Sequence, residues 1–221
     1  MERSSADRDN LISLFALSSA AISIVALILL HFLSPEFEPS WRMVSEYANG
    51  KFEWLLSSFF IAWGVATWLV GMLLWNKVNG LWGRAGIVLL FISGLGEILA
   101  AFFNVNHPLH GTAGFLGVPL FILASLFISY NIKNLKEWQE QKSRLIMTAH
   151  LSWISVLLVV ITMVLMINGF RQAGIHIGPG QKPPASLPDG VIGIVGYANR
   201  LLILVYILWL TIVAIRYKKS G

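Results

Sequence analysis

Six long stretches of apolar residues dominate this sequence. A helix that crosses the hydrocarbon core of a bilayer needs about 20 mostly apolar residues, and each stretch is close to that length or longer. They run over 11–33, 54–75, 85–103, 112–130, 145–168 and 191–215. The apolar residues are continuous rather than alternating, which favours helices over the strands of a membrane barrel. The sequence therefore predicts an all-α, polytopic integral membrane protein with six transmembrane helices in one bundle.

Charged residues are too scarce for a protein of this size surrounded by water. They make up 12% of the chain, against roughly a quarter in an ordinary soluble domain. This argues against a soluble enzyme, a disordered protein and a nucleic-acid-binding module. Cysteine is absent, which excludes disulfides and thiolate metal sites. No linker divides the chain, so we expect residues 1–221 to form a single six-helix transmembrane domain. We expect this domain to be embedded in the lipid bilayer. The oligomeric state is left open.

Basic residues lie mostly on one side of the predicted bundle. Six spans place both termini on that side, and the positive-inside rule makes it the cytoplasmic side of the cell membrane. Most of the sixteen Lys and Arg residues lie there, namely Arg3, Arg8, Lys77, Arg84, Lys133, Lys136, Lys142, Arg144, Arg216, Lys218 and Lys219. The first span follows a segment of mixed charge and has no clear cleavage site after it. We therefore expect it to be retained rather than removed as a signal peptide.

Short polar motifs follow one another at the other ends of the spans. They are Ser34-Pro35 and Ser45–Gly50 after the first span, Phe102–Asn106 at the end of the third, His107 and His110-Gly111 before the fourth, and Gly196–Leu202 in the sixth. The ordered set resembles the prokaryotic membrane-protein family known as domain of unknown function 998. This chain differs from that family's pattern in having Glu46 and Asn106 in place of aspartates. The resemblance implies a six-helix protein of a prokaryotic inner membrane, and it implies no activity.

Two ionisable side chains fall inside predicted spans. Glu97 lies about 9 Å and Arg200 about 13 Å from the outer ends of their spans, at 1.5 Å per residue. A charge at such a depth costs about 2.5 to 3.5 kcal/mol on insertion scales. We expect both side chains to face the bundle interior and to pair directly or through water. Such a pair either fixes the order of the helices or forms the floor of a polar pocket.

The first outer loop and several glycines suggest how the helices pack. After Pro35 and Pro39, Ser40 is expected to cap a short amphipathic turn, which either lies over the bundle as an interfacial helix or closes a cavity as a lid. The buried face of this turn is predicted to carry Trp41, Val44 and Tyr47. Close helix packing is predicted at Gly94, Gly96, Gly111, Gly114 and Gly117.

His107 and His110 are spaced to share one helix face at the start of the fourth span. Asn104 or Asn106 is expected to cap this helix, with Pro108 in its first turn. The histidines are then hydrogen-bonding residues at the interface, ligands of a divalent metal, or part of a ligand site. Two histidines are too few for a closed zinc site. The remaining ligands would have to come from Glu46, Glu97, His31 or His176.

The polar residues of the outer half suggest three functions. The first is a polar pocket, open to the extracytoplasmic side, that binds a small ligand or a lipid for sensing or transport. The second is an intramembrane metal-dependent hydrolase with His107 and His110 as ligands and Glu46 or Glu97 as a base or ligand. The third is a structural or accessory membrane protein, and the sequence leaves open whether the protein is an enzyme. The predicted pocket residues are Arg42, Ser45, Glu46, Tyr47, Glu97, Asn104, Asn106, His107, His110 and Arg200.

Overall fold

The computed structural model describes residues 2–175 and 184–218, and the side chains from residue 6 onward within those ranges. His176, named above as a metal ligand, lies outside the described residues. The described chain contains six long helices and two short 3-10 turns, with no strand. The long helices are α1 Glu2–Leu33, α2 Glu53–Leu74, α3 Gly80–Phe102, α4 His110–Ile132, α5 Lys142–Gln172 and α6 Val195–Lys218. All six are long and apolar enough to span a membrane, which confirms the all-α, six-span prediction.

The helix ends differ from the predicted spans where polar residues continue a helix or an extended segment delays one. α1 begins at Glu2 and α5 runs on to Gln172, so both helices continue into polar residues beyond their apolar spans. α6 begins at Val195 rather than at 191. The preceding residues are not helical, and Val191 packs there with Trp41 and Phe170 in a small apolar cluster.

The helices are arranged so that each packs beside the next along the chain, and α6 returns to α1. The most extensive contact joins α3 to α4, followed by α1 with α2 and α2 with α3, and α6 also reaches α2 across the bundle. α4 and α5 meet less closely, through a 3.4 Å contact between the Ser125 and Ser152 hydroxyls and a 3.0 Å bond between Tyr130 and His150.

Aromatic rings fill the middle of the bundle. Tyr206 stacks on Phe121 with the ring centroids 4.1 Å apart, and it meets Trp63 edge-on. Tyr206 donates to the carbonyl of Val118, and the indole of Trp209 donates to Ser129 Oγ at 2.9 Å, whereas the buried indole nitrogen of Trp63 has no hydrogen-bond partner among the described residues. Ring contacts of this kind make the middle of the bundle a packed aromatic core.

Only part of the predicted glycine packing is present. A Cβ on Gly96 would collide with the backbone nitrogen of Gly117. A Cβ on Gly94 would lie 2.5 Å from the Trp68 ring and 3.1 Å from the carbonyl oxygen of Gly64. The prediction is wrong for Gly111 and Gly114, which have no atom within 4 Å of such a Cβ. The close approach of α3 and α4 lies one to two turns deeper, where Gly96 faces Gly117.

Candidate functional site

The loop between α1 and α2 folds back onto the first turn of α6. We call residues 34–52 the outer loop, and the end of the bundle that carries it the outer end. The backbone N–H groups of Gly196 and Tyr197 donate to the carbonyl of Ser40 at 2.8 and 3.2 Å. The Val44 N–H donates to Asn199 Oδ1 at 2.9 Å. Gly196 permits this approach, because a Cβ there would collide with the carbonyl oxygens of the loop.

The outer loop buries the apolar face that the sequence predicted, but a different residue begins its turn. Trp41, Val44 and Tyr47 are all buried. The turn is a 3-10 helix over Val44–Asn49. The predicted cap is wrong, because the Ser40 hydroxyl donates to Glu38 rather than to the turn.

Arg42 and Glu46 form a compensated ion pair within the outer loop. Arg42 Nη1 donates to Glu46 Oε2 at 2.7 Å, and Nη2 donates to the carbonyl of Pro184 at 2.6 Å. The guanidinium also lies 4.0 Å from the centroid of the Trp41 ring. Glu46 Oε1 accepts from the N–H of Met43, so both carboxylate oxygens are engaged. Ser45 lies on the same turn and is half-buried. The pair holds the loop in shape and carries no net charge.

Arg200 is the centre of the buried polar contacts at the outer end. Its side chain is 8% exposed. Nε donates to His31 Nε2 at 2.7 Å, and Nη2 donates to the hydroxyl of Tyr47 at 3.1 Å. Nη1 donates to the carbonyls of Arg42 and Gly196 at 2.7 and 3.0 Å. We call Arg200, His31, Tyr47 and these two carbonyls the Arg200 cluster. It joins α1, the outer loop and α6.

The acceptors in the Arg200 cluster are all neutral. A guanidinium has only donors, so His31 Nε2 must be the unprotonated nitrogen of its ring. The proton of His31 is then on Nδ1, which lies 2.6 Å from the carbonyl of Leu27. Burial raises the pKa of the Tyr47 phenol, and the Arg200 guanidinium opposes that rise. Tyr47 is therefore a phenol at neutral pH, and Arg200 is held without an anionic partner.

The expected direct pair between Glu97 and Arg200 is wrong. Both side chains face the bundle interior, as predicted, with 3% and 8% exposure. Arg200, however, reaches outward to the loop and to α1, whereas Glu97 reaches α2 and its own helix. Neither residue takes part in the ion pairs that the described residues show, Arg8 with Asp9 and Arg42 with Glu46. The two ionisable side chains that the sequence suggested would pair therefore have separate hydrogen-bonding partners.

Glu97 lies among hydroxyl groups and backbone carbonyls. Its Oε2 is 2.6 Å from Thr67 Oγ1, and its Oε1 is 3.3 Å from Ser93 Oγ. The Thr67 hydroxyl also reaches the carbonyl of Trp63 at 3.2 Å, and the Ser93 hydroxyl reaches the carbonyl of Gly117 at 2.7 Å. We call Glu97, Thr67 and Ser93 the Glu97 cluster. It lies where α2, α3 and α4 meet.

The two predicted histidines do not share a helix face. His107 is exposed in the turn before α4, stacks on Phe103 and accepts from the N–H of Leu109 at 3.1 Å. His110 is the first residue of α4, and its Nδ1 lies 2.8 Å from the carbonyl of Phe103. α4 begins two residues before its predicted span but after both asparagines that were predicted to cap it. The side chains of Asn104 and His107 instead accept hydrogen bonds within the turn.

The two asparagines at this end also have partners other than the predicted helix cap. Residue Leu109 occupies the cap position of α4, without a side-chain bond. Asn104 Nδ2 donates to Glu53 Oε1, and Asn106 Nδ2 donates to Asn49 Oδ1, both at 2.8 Å. These bonds tie the turn before α4 to the start of α2 and to the outer loop.

The described residues include no group of three His, Cys, Asp or Glu side chains placed to hold a metal ion. His107 and His110 both have hydrogen-bonding partners in the turn, and His31 is engaged by Arg200. Glu46 is engaged by Arg42. The described chain therefore offers the predicted metal pair no third ligand.

The predicted pocket residues divide into three separate sets. Arg42, Glu46, Tyr47 and Arg200 come together, Glu97 lies apart from them, and the turn before α4 forms a third set. Sequence reasoning missed His31 as a partner of Arg200, and Asn199, Thr67 and Ser93 as polar partners of the loop and of Glu97. Ser93 was detectable in principle, since it precedes Glu97 by one helical turn.

A groove of about 470 Å³ lies at the opposite end of the bundle, beside the turn between α2 and α3. In the sequence, the basic residues at this end indicated only the orientation of the protein in the membrane. Its lining mixes apolar side chains with two asparagines and one exposed arginine, and comprises Trp75, Asn76, Val78, Asn79, Arg84, Ile87 and Val88. Trp and Arg at a helix end are typical of a membrane interface.

The six apolar helices and the polar clusters between them define a multi-pass helical membrane protein. The chain belongs to the family described as Protein of unknown function (DUF998), which matches residues 18–216. This confirms the family resemblance and covers nearly the whole chain. No curated protein and no solved structure matches it.

Proposed function

We propose that this protein binds an anionic ligand at Arg200, beneath the outer loop, and serves in sensing or transport. The ligand is a small molecule or a lipid headgroup with a carboxylate or phosphate group. The observation that supports this is the buried guanidinium of Arg200, whose four hydrogen bonds all go to neutral acceptors. The proposal includes the predicted orientation, in which the outer end is extracytoplasmic and both termini are cytoplasmic.

The charge balance of the cluster favours an anion. A buried charge is costly unless it is paired and hydrogen-bonded, and Arg200 has the hydrogen bonds without the pair. Arg42, the other buried arginine at this end, is paired with Glu46 at 2.7 Å. The acidic loop residue that acts on Tyr47, Glu36, is exposed to solvent. An anion at Arg200 would therefore complete a compensation that the described side chains do not provide.

The shape of the guanidinium suits the proposed ligand class. Two parallel N–H groups of an arginine match the two oxygens of a carboxylate or phosphate, and such bonds are about twice as strong as neutral ones. In the Arg200 cluster the Nη1 and Nη2 donors are occupied by the Arg42 carbonyl and the Tyr47 hydroxyl. Both acceptors belong to the outer loop, so a movement of that one segment frees Nη2 and one N–H of Nη1, whose other N–H remains bonded to the carbonyl of Gly196 in α6.

The outer loop therefore acts as a lid over Arg200. It is joined to α6 by the bonds of Ser40 to Gly196 and Tyr197 and of Val44 to Asn199. Opening the loop would break these few polar bonds and expose part of the buried face of Trp41, Val44 and Tyr47, and charge-assisted bonds from Arg200 to an anion would offset part of that cost. Between the two sequence interpretations of this loop, the contacts favour the lid.

The test is a binding measurement with the purified protein in detergent micelles. The probes are short-chain phosphatidylglycerol, inorganic phosphate and acetate, titrated into wild type, Arg200→Gln and Arg171→Gln. Arg171 is the matched control, because it is an exposed arginine at the end of α5. We expect at least one anion to bind wild type and Arg171→Gln equally and to bind Arg200→Gln at least tenfold more weakly, which is about 1.4 kcal/mol.

The comparison among the probes identifies the ligand class. Binding of phosphatidylglycerol alone indicates a lipid headgroup with its chains, whereas binding of phosphate or acetate indicates a small molecule. Equal affinities of wild type and Arg200→Gln for every probe that binds would contradict the proposal, as would failure of all three probes to bind wild type.

A further inference from the structure

Glu97 poses a separate question from Arg200, because the two clusters share no residue and the proposed anion site does not use the carboxyl. The Glu97 side chain is 3% exposed, and it lies within a membrane-spanning helix. No Lys, Arg or His of the described residues forms an ion pair with it. A buried, unpaired carboxylate is among the costliest groups that a membrane protein can contain.

The hydrogen positions around Glu97 can be assigned from the distances. The Ser93 hydroxyl is closer to the carbonyl of Gly117, at 2.7 Å, than to Glu97 Oε1, at 3.3 Å. The Ser93 hydroxyl therefore donates its single proton in a hydrogen bond to the carbonyl of Gly117. As a carboxylate, Glu97 would then have one good donor, the Thr67 hydroxyl at 2.6 Å from Oε2. A carboxylate has room for about four donors, so the anion would be poorly satisfied.

A protonated carboxyl satisfies the same contacts better. The acid proton on Oε2 donates to Thr67 Oγ1 across 2.6 Å, a distance typical of a strong O–H···O bond. The Thr67 hydroxyl then donates to the carbonyl of Trp63, 3.2 Å away. Each proton has one acceptor, and no charge remains in the apolar interior.

Among the described residues, the elements packed against Glu97 place no other charged side chain in an ion pair with it. α2 has an acidic residue only at its first position, Glu53, and α4 has a titratable residue only at its two ends, His110 and Tyr130. α3 carries Arg84 in its first turns, at the end of the bundle opposite the outer end. From α6 the nearest titratable group is Tyr206, whose hydroxyl already donates to Val118. Protonation is thus what neutralises the Glu97 carboxyl in these surroundings.

We propose that Glu97, Thr67 and Ser93 form an intramembrane proton-binding site. Glu97 holds the proton as a carboxylic acid while α2, α3 and α4 are in contact, and it releases the proton only when that contact opens. The coupling follows from the packing, because Gly96 and Gly117 bring the two backbones together beside the carboxyl. A Cβ on Gly117 would lie 3.5 Å from Glu97 Cγ, so no solvent layer separates the carboxyl from α4.

Infrared difference spectroscopy of the full chain in lipid nanodiscs tests the proposal. The carboxylic acid C=O stretch is read as wild type minus Glu97→Gln at neutral and alkaline pH, in H₂O and in D₂O. We expect an acid band in wild type at neutral pH that shifts in D₂O and is absent from Glu97→Gln. The matched control is Glu53→Gln, which removes an exposed carboxyl bonded by Asn104. Its difference spectrum should show loss of a carboxylate band only.

Two further measurements keep the result unambiguous. In Thr67→Val the acid band should move to higher frequency, because the acid loses its acceptor, and this variant serves if Glu97→Gln does not fold. Replacing potassium by sodium in the buffer should leave the band unchanged. A carboxylate band from Glu97 at neutral pH would overturn the proposal. A loss of the acid band on adding sodium would also overturn it, because the site would then be a sodium site.

Discussion

Gly196 provides a sharp test of how the outer loop docks on α6. Replacing it with alanine places a Cβ against the carbonyl oxygens of Pro39 and Arg42. Overpacking of this kind costs about 1 to 3 kcal/mol. The displaced loop would also lose the bonds of Gly196 and Tyr197 to the carbonyl of Ser40, each worth about 1 kcal/mol. We therefore expect Gly196→Ala to lower the free energy of unfolding by about 3 to 5 kcal/mol.

The matched control is Gly114→Ala in α4. A Cβ at Gly114 has no atom within 4 Å, and alanine is better than glycine in a helix by about 0.5 to 1 kcal/mol. The two glycine-to-alanine changes should thus have opposite signs. Unfolding in detergent measures the stability, and trypsin cleavage after Arg42 reports the loop, since Arg42 is buried when the loop is docked. Gly196→Ala as stable as Gly114→Ala, with Arg42 still protected, would refute the docking described here.

Three other predictions concern the hydroxyl of Tyr47, two tryptophans and the orientation of the protein in the membrane. Tyr47→Phe should destabilise the protein by about 1.5 to 3 kcal/mol, the value of a hydrogen bond to a charged group. Because burial raises the pKa of Tyr47, the stabilisation by the Tyr47 hydroxyl should be complete below about pH 10 and be lost as the pH rises further. Unfolding curves of wild type and Tyr47→Phe should therefore converge in alkali. Trp209→Phe should cost more than about 1 kcal/mol in thermal unfolding, because it loses the bond to Ser129 and leaves a cavity at a fully buried residue, whereas Trp75→Phe, at a residue 58% exposed, should be neutral. Because the chain lacks cysteine, an impermeant maleimide should label Glu36→Cys in intact cells and Gln139→Cys only after permeabilisation, and the reverse pattern would contradict the predicted orientation.

The fold was predictable because the bilayer imposes a strong rule on sequence. Spans of about 20 apolar residues must be helices, since every backbone polar group has to be bonded internally. Helix ends were less predictable, as at Val195, where packing of the preceding residues against Trp41 and Phe170 delays the helix. Glycine spacing was informative only where a neighbour was present, at Gly96 and not at Gly114.

The partners of the buried charges were not predictable, because depth along a span does not fix the direction of a side chain. Glu97 and Arg200 were placed at similar depths and were expected to meet. In the fold Arg200 points to the outer loop and Glu97 points to Thr67. The choice depends on helix rotation and on the return of the loop onto Gly196, which are long-range features. The bond between Arg200 and His31 is an example of such a long-range feature, since the two residues are 169 positions apart in sequence.

The most direct test of the anion site is an experimental density map of the protein with the anion that binds it best. The proposal predicts non-protein density within hydrogen-bonding distance of the Arg200 guanidinium. It also predicts that the Arg42 carbonyl and the Tyr47 hydroxyl have moved away with the outer loop. If the ligand at saturating concentration lies elsewhere, for example in the groove beside Arg84, and Arg200 keeps its four neutral acceptors, the proposed function is wrong.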